Sequence, residues 1–460
     1  MSQVTIGLIF VLAFLVTAFR GAGWGFVMVY LPAMILLNQL PQIPIVHAPL
    51  AAHFAAIYGI ILAMPFRPES LRFKWSSVDT IIALLLISST ITAFNTENFE
   101  AGINNFRTEL VTWVGPYFLA RIVFRNVEIR RGALYVLIAL MAIISTAALI
   151  EFRIQPYFYL HLLQGLGMNN KIPTMAYYRF GFFRVAGPVQ HPIYFGNMCL
   201  VLIGMIAVLA RTTGTKLTNP WVALALFGAL GCLVTSISFT PYIGLGAGIA
   251  VLLTLVMLPF TRKLVLPLTL LGIGVLFTFT YTVAHQKIGD KPDGELAGSL
   301  WTRKEIIQQS WKKAASAGAF GYGRQLNFGN DEDDDFDLSS VDNAYMLHTM
   351  MHGWIYTTLW VSIAVFFSMR MTFAFFKITH ESQVFPLAVA TATVLALMVS
   401  MFTVWAGALY VVVWSVMLGL SNTLIDLVMH PEMATESTRR PMAMGRQPKP
   451  PGVPMRIVQG

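Results

Sequence analysis

Residues 181–210 read GFFRVAGPVQHPIYFGNMCLVLIGMIAVLA, and this stretch joins a rigid basic segment directly to an apolar one. The second half is apolar over roughly 18 residues, close to the length that a helix needs to cross a bilayer. The first half places Arg184 and His191 among prolines and glycines, which fix or bend the backbone. The stretch therefore predicts a membrane-spanning helix with a shaped, positively charged loop at its mouth.

The same apolar pattern recurs along the chain. Of its 460 residues, 56% are hydrophobic and 12% are charged, whereas about 25% of the residues of a soluble domain are charged. Apolar runs of about 17 to 25 residues give about 12–14 candidate spans. We therefore predict an all-α polytopic integral membrane protein whose transmembrane domain covers residues 1–429. Cys199 and Cys232 fall in apolar runs, and we expect them to be buried and unpaired.

Short basic loops predict how the chain is oriented in the membrane. Cytoplasmic loops carry an excess of Lys and Arg, and this rule assigns five loops to the cytoplasm: 67–74, 121–131, 211–216, 261–263 and 369–377. Two long loops, at about 152–192 and about 285–343, then fall on the external face. The basic tail 430–460 is predicted to be a disordered cytoplasmic extension. The net charge of +9 follows from the same rule, and we expect no nucleic-acid partner.

The first external loop is basic, against the usual bias. It contains Arg153, Lys171, Arg179 and Arg184 and no acidic residue. Arginine suits phosphate because its planar fork donates two parallel hydrogen bonds, so the loop predicts an anion site. The alternative is that these side chains meet lipid headgroups. His191 is a candidate base or hydrogen-bond donor, or a structural residue.

The second external loop has a helical half and an acidic half. An amphipathic helix is predicted around 299–316, with tryptophans that suit a membrane interface. The acid run 331–337 has some features of a calcium loop, but Phe336 occupies the position of the required glycine, so a solvated acidic loop is the alternative. His348 and His352 have the spacing of zinc ligands without an evident third ligand. We expect no bound metal.

Four segments occur in a characteristic order: FRVAGPVQHPIYFG (183–196), VTSISFTPYIGLGAGIA (234–250), SLWTRKEIIQQSWKKAASAGAFGYG (299–323) and VDNAYMLHTMMHGW (341–354). This ordered set resembles the bacterial O-antigen ligase and polysaccharide polymerase superfamily, polytopic membrane glycosyltransferases with a GT-C-like fold. Two departures matter. Ser238, Phe239 and Thr240 stand where the family has a turn arginine, and Asp342 replaces the histidine of a His-Asn pair. The second departure favours a chain polymerase over a ligase.

The resemblance implies an inverting glycosyltransferase of the bacterial inner membrane that uses a polyprenyl-diphosphate-linked oligosaccharide without a cofactor or metal. Arg184 and Arg303 would hold the diphosphate, and Asp342 would orient or deprotonate the acceptor hydroxyl. Asp342 is alternatively the cap of the helix that follows it. The other residues expected to contact substrate are Arg179, His191, Asn343, Tyr345 and Arg324.

The implied partners are an acceptor glycan, the lipid bilayer, and a chain-length regulator or export machinery. Two alternative functions remain open. One is a ligase that transfers finished glycan to lipid A-core or to a protein. The other is a transporter of lipid-linked oligosaccharide, which should carry charged residues inside its spans. The predicted spans are nearly free of charged residues, which favours an enzyme.

Overall fold

The computed structural model describes residues 2–37, 43–45, 48–66, 73–168, 172–173, 177–189, 191–287, 289, 295–323, 343–402 and 408–432. Of residues 2, 43–45, 48–50, 295–300, 302–303 and 408–409, only the backbone path is described. The predicted tail therefore lies almost wholly outside the described residues, as do the acid run and Asp342.

Helices make up nearly all of the described structure. In chain order they are α1 (Ser2–Arg20), α2 (Ala22–Leu36), α3 (Ala52–Phe66), α4 (Ser77–Thr96), α5 (Phe99–Glu109, Leu110–Val114 and Gly115–Val123), α6 (Val127–Arg153), α7 (Phe158–Gly165), α8 (Pro192–Thr212), α9 (Pro220–Thr235), α10 (Phe239–Met257), α11 (Val265–His285), α12 (Glu295–Ser316), α13 (Ala344–Lys377), α14 (Val384–Ser400) and α15 (Ala408–Met429). Short 3-10 turns cover Gly187–Val189, Pro259–Leu264 and Glu381–Gln383.

The strands of the described residues form two small antiparallel hairpins. In the first, β1 (Ile43–Ile45) pairs with β2 (Ala48–Leu50). In the second, β3 (Tyr178–Arg179) pairs with β4 (Phe182–Phe183), with Arg179 opposite Phe182.

Nine of the described helices are long and apolar enough to cross a membrane, and three shorter apolar helices accompany them. The prediction of an all-α polytopic membrane protein is confirmed at this level. The helices differ in how many of their residues are buried. In the apolar 18-residue stretch of each helix, 89% of the residues of α15 and 83% of those of α8 are buried, whereas only 17% are buried in the stretch that contains α11. The first two helices therefore lie at the centre of the bundle and α11 lies at its periphery. Cys199 and Cys232 are buried free thiols within this bundle, as expected.

The bundle has two chemically different ends. Tyr410 and Asp426 both lie on α15, and their spacing in the sequence corresponds to about 24 Å along a helix. Asp426 belongs to a buried cluster of charges, and Tyr410 lies near the start of α8. We call these the Arg121 end and the Arg184 end, after the arginine that each contains.

The Arg121 end holds a buried ion network. Arg121 donates to Asp79 at 2.7 Å and to Asp426 at 2.6 Å. Arg370 in turn donates to Asp426 and to Asn422. These four charged residues come from α4, α5, α13 and α15, so the network ties the ends of four helices together. The expectation that the spans are nearly free of charged residues is therefore wrong at this end.

Helix α13 is broken, although the sequence predicts one continuous span over 344–369. Gly353 has φ 81° and ψ 178°, a conformation that is essentially restricted to glycine. The hydroxyls of Thr349 and Thr357 are 2.9 Å apart, whereas a straight helix would separate these residues by about 12 Å. Residues 344–352, which we call the short arm, therefore fold back against the long arm, residues 354–377.

Residues 318–323, which we call the wedge, fill the break in α13. The N–H groups of Trp354 and Ile355 donate to the carbonyls of Gly318 and Ala319. In the opposite direction, the N–H groups of the wedge donate to carbonyls at the end of the short arm, from Tyr322 to Met350 and from Gly323 to Met351. Backbone groups exposed by the break are thereby satisfied inside the protein, as a membrane interior requires.

Candidate functional site

The basic loop of residues 184–189, which we call the strap, is fixed by its backbone. The hairpin β3–β4 turns through Phe180 and Gly181, both with positive φ. After it, the Arg184 N–H donates to the Tyr177 carbonyl at 2.8 Å, and the Val185 N–H donates to the Thr235 carbonyl at 3.1 Å. The strap is therefore tied both to its own hairpin and to the end of α9.

Glu151, a residue that the sequence reasoning did not select, is the internal anchor of the strap. Its Oε1 accepts the N–H of Ala186 at 3.0 Å and the N–H of Gly187 at 3.3 Å. The side chain is 1% exposed, and a buried acidic group needs such donors. The signal in the sequence was a lone acidic residue at the end of the apolar run of α6.

The side chain of Arg184 reaches the turn between α9 and α10. Its Nη2 donates to Ser238 Oγ at 2.9 Å, and its Nε lies 3.4 Å from the Ser236 carbonyl. This turn is where the family that the sequence resembles carries an arginine. Two of the four sequence segments thus meet in space, and Arg184 occupies the junction.

His191 stands between the strap and α8. Its ring centroid is 4.7 Å from that of Tyr194 and 5.4 Å from that of Tyr177. Burial, and secondarily the charge of Arg184, lowers the pKa of His191 to about 4. The imidazole is therefore neutral at pH 7 and adds no positive charge beside Arg184.

Aromatic side chains lead from His191 to α15, and the short arm of α13 lies at the same end of the bundle. The rings of Tyr194 and Tyr410 are 5.6 Å apart. The short arm begins where the Ala344 N–H donates to the Met401 carbonyl at 3.0 Å, next to Ser400, which lies beside Gly244 in the first half of α10. Tyr345 stacks on Phe402 with centroids 4.2 Å apart. The structure thus brings three of the predicted residues, Arg184, His191 and Tyr345, to one end of the bundle.

Asn343 and Tyr345 have structural partners. Asn343 Oδ1 accepts the Met346 N–H at 3.1 Å, so Asn343, and not Asp342, is the N-cap of α13. The hydroxyl of Tyr345 donates to the Met398 carbonyl at 3.0 Å. The role of Asp342 as a base stays a prediction, because this residue lies outside the described ones.

The remaining predicted residues are only partly placed. Arg179 lies in β3, half-buried, shortly before Arg184 in the chain. Arg303 lies in α12, and its side chain is not among those described. Arg324 follows the wedge directly and lies outside the described residues. The proposed pairing of Arg184 with Arg303 therefore stays a prediction.

An apolar cavity of about 320 Å³ lies between α10, α11, α13 and α14. Tyr345 and Phe402 form one part of its wall. Leu255, near the C-terminal end of α10, and Val265, the first residue of α11, form another part. Tyr345 thus places one part of the cavity wall at the Arg184 end of the bundle. The cavity has the chemistry of a site for a hydrocarbon chain.

No protein-family model and no curated protein matches this chain.

Proposed function

We propose that this protein polymerises polyprenyl-diphosphate-linked oligosaccharide repeat units into a surface polysaccharide or exopolysaccharide at the external face of the bacterial inner membrane. It would act as an inverting glycosyltransferase. The Arg184 end is then the external end, and the Arg121 end faces the cytoplasm, in agreement with the orientation that the basic loops predict.

The observation that carries the proposal is the fixed position of Arg184 at the end of the bundle where Tyr345 forms part of the wall of an apolar cavity. A lipid-linked diphosphate needs cationic donors for its headgroup and an apolar site for its chain. The backbone contacts of the strap and the hydrogen bond to Ser238 hold the guanidinium in one position. Preorganised charge of this kind stabilises a transition state without reorganisation at the moment of reaction.

In the proposed reaction, the hydroxyl of an acceptor sugar attacks the anomeric carbon of the donor. The bond from that carbon to the diphosphate oxygen breaks, and the lipid diphosphate leaves with the bonding electrons. Arg184 would neutralise the charge that grows on the leaving group. Asp342 would take the proton of the acceptor hydroxyl. His191, which is neutral, would keep the strap in place by packing against Tyr177 and Tyr194.

The test is a deletion strain complemented with variants. Loss of a polymerase leaves single repeat units attached to their acceptor, whereas loss of a ligase leaves long chains on the lipid carrier. We expect the first result, with rescue by wild type and by Arg153→Ala, an exposed arginine of the same loop. Arg184→Ala should not rescue, although it should accumulate in the membrane at a normal level. Long chains on the lipid carrier would contradict the proposal and favour the ligase.

A second candidate, transport of a lipid-linked oligosaccharide, is favoured by the break in α13. Discontinuous helices are typical of transporter binding sites, and the ion network at the Arg121 end would close that end of a transport path. Proteoliposomes containing a fluorescent lipid-linked oligosaccharide separate the two functions. Movement between leaflets at unchanged chain length indicates transport, and a ladder of longer products indicates polymerisation.

A further inference from the structure

The hairpin β3–β4 carries aromatic side chains that the fold leaves exposed. Phe180, in the turn, is 68% exposed, and Tyr178 and Phe182, one in each strand, are 57% and 52% exposed. Phe183, the next residue, is buried and packs on Tyr157 with ring centroids 5.2 Å apart. Packing inside the protein therefore accounts for one ring of the hairpin and leaves three neighbouring rings on the surface.

The turn places Phe180 in a backbone conformation that a bulky side chain disfavours. Phe180 has φ 55° and Gly181 has φ 78°, the two positive φ values that a type I′ hairpin turn requires. Asn, Asp and Gly are the usual residues at the first of these positions, because a positive φ is unfavourable for a large side chain. Neither the turn nor the core explains an aromatic ring here, which indicates that the ring contacts something outside the chain.

The hairpin lies against the end of an exposed stripe on α6. Tyr135, Ala142 and Leu149 are exposed on one side of this helix, as their spacing requires. Helix α6 is one of the nine candidate membrane spans, so this side faces lipid. Phe152, one turn beyond Leu149, stacks on Phe182 with ring centroids 5.9 Å apart. The hairpin therefore continues the lipid-facing surface of α6.

We propose that the hairpin β3–β4 inserts its turn, with the ring of Phe180, into the lipid at the Arg184 end of the bundle. The continuity with α6 favours lipid as the partner, and exposed aromatic rings suit the boundary between headgroups and hydrocarbon. The loop 152–192 contains four basic residues and no acidic one. A loop of this charge suits a layer of headgroup phosphates.

The insertion would set the depth at which Arg184 lies. Strand β4 ends at Phe183, and the strap begins at the next residue, Arg184, whose N–H donates to the carbonyl of Tyr177 just before β3. Arg184 would thus lie at the level of the headgroup phosphates, and a lipid-linked diphosphate would reach it without leaving that layer. This consequence rests on the proposed function, whereas the insertion itself does not.

The test is the depth of a nitroxide label attached to Phe180→Cys in nanodiscs of phosphatidylethanolamine and phosphatidylglycerol. Collisions of the label with oxygen, which concentrates in hydrocarbon, are compared with collisions with a water-soluble nickel chelate. Leu271→Cys, on the exposed side of α11, and Lys216→Cys, in an exposed loop, calibrate the two extremes. We expect the label at position 180 to lie about 5–10 Å inside the headgroup boundary.

Two controls accompany this measurement. Cys199 and Cys232 are buried free thiols, so wild-type protein treated with the same label gives the background. Tyr178→Cys carries a second label on the same hairpin, so the result does not depend on the folding of one variant. We expect this second label to be shielded from nickel as well.

Labels at positions 178 and 180 that are as accessible to nickel as the label at position 216 would overturn the proposal. Nickel accessibility that falls only when lipid-linked oligosaccharide is added would assign the rings to a glycan and would also overturn it. The measurement requires no polymer formation. A hairpin found in the lipid of a protein that makes no polymer would therefore support the insertion and contradict the proposed function.

Discussion

Arg184 and Ser238 are 54 positions apart in the chain, yet the guanidinium Nη2 of Arg184 lies 2.9 Å from Ser238 Oγ. This contact joins the strap before α8 to the turn between α9 and α10. It fixes one edge of a guanidinium at the mouth of an apolar bundle. The position of this group, rather than its charge alone, is what the proposed function depends on.

The first prediction concerns that contact. Ser238→Ala removes the acceptor and should lower the rate of polymer formation about 10-fold, because a hydrogen bond to a charged group is lost. Arg184→Lys keeps the charge but lacks the planar fork, and its loss should be larger, about 100-fold. Initial rates of product formation measure both effects. An active Arg184→Lys variant would show that a point charge suffices and that the fork has no role.

The second prediction concerns Glu151, the anchor of the strap. Glu151→Ala leaves the N–H groups of Ala186 and Gly187 without their acceptor, and it should cost about 2–4 kcal/mol of unfolding free energy. Glu151→Gln keeps an oxygen that accepts the same N–H groups, so it should retain most of the stability and activity. Thermal unfolding in detergent compares the two. Equal losses from both variants would mean that the carboxylate charge, and not its acceptor oxygen, is required.

The third prediction concerns the break in α13. Gly353→Ala should cost at least about 1–3 kcal/mol, because an alanine is strained at this positive φ and its Cβ would collide with the Ala319 carbonyl. Gly321→Ala in the wedge should have a similar effect, since its Cβ would meet the backbone at Gly353. Gly274→Ala in α11 is the control, because a Cβ there meets open space. Unfolding temperatures in detergent give the comparison, and a Gly353→Ala protein as stable as the control would argue against the fold-back.

The fourth prediction concerns the ion network. Arg121→Ala leaves the buried carboxylates of Asp79 and Asp426 without a shared partner, and it should cost about 3–5 kcal/mol. Arg131, near the same end, is exposed. Arg131→Ala is therefore the control and should change the stability by at most about 0.5 kcal/mol. Thermal unfolding compares the stability of the two variants. If Arg121→Ala loses no more stability than Arg131→Ala, water reaches the network.

The fifth prediction follows from the pKa of His191, which burial lowers from 6.5 to about 4. As the pH falls below 6.5, the unfolded chain takes up a proton that the folded protein resists, so folding loses stability until about pH 4. Wild type should therefore lose more stability than His191→Asn between pH 6.5 and pH 4, and the two should run parallel above pH 7. Unfolding temperatures across this range provide the measurement. Parallel curves throughout would contradict a lowered pKa of His191.

The sequence predicted the fold class well, because a long apolar run in a bilayer commonly forms one structure, the transmembrane helix. It also selected the strap, whose prolines and glycines are local signals. The fold-back of α13 could not be predicted in this way. The apolar pattern of residues 344–369 is that of one span, and the break depends on backbone contacts between α13 and a wedge that lies well before it in the chain.

Only those residues of the candidate site that carry a local signal in the sequence were predicted. Arg184 and His191 are distinguished in the sequence by charge and by neighbouring prolines. Glu151 and Ser238 are not, because their importance arises from partners that are far away in the sequence. The buried charges of α4, α5, α13 and α15 were likewise missed, since each falls near the end of an apolar run, where a charged residue is ordinarily solvated.

In the proposed function, Arg184 binds the diphosphate of a lipid-linked glycan while the sugar of that glycan is transferred. The most direct measurement is the initial rate at which purified protein in lipid nanodiscs converts synthetic polyprenyl-diphosphate repeat units into longer chains. We predict a ladder of products from wild type and from Arg153→Ala, and a rate lower by about 100- to 1000-fold from Arg184→Ala. A wild-type protein that forms no ladder, or an Arg184→Ala protein that forms it at the wild-type rate, would show that Arg184 does not have this role.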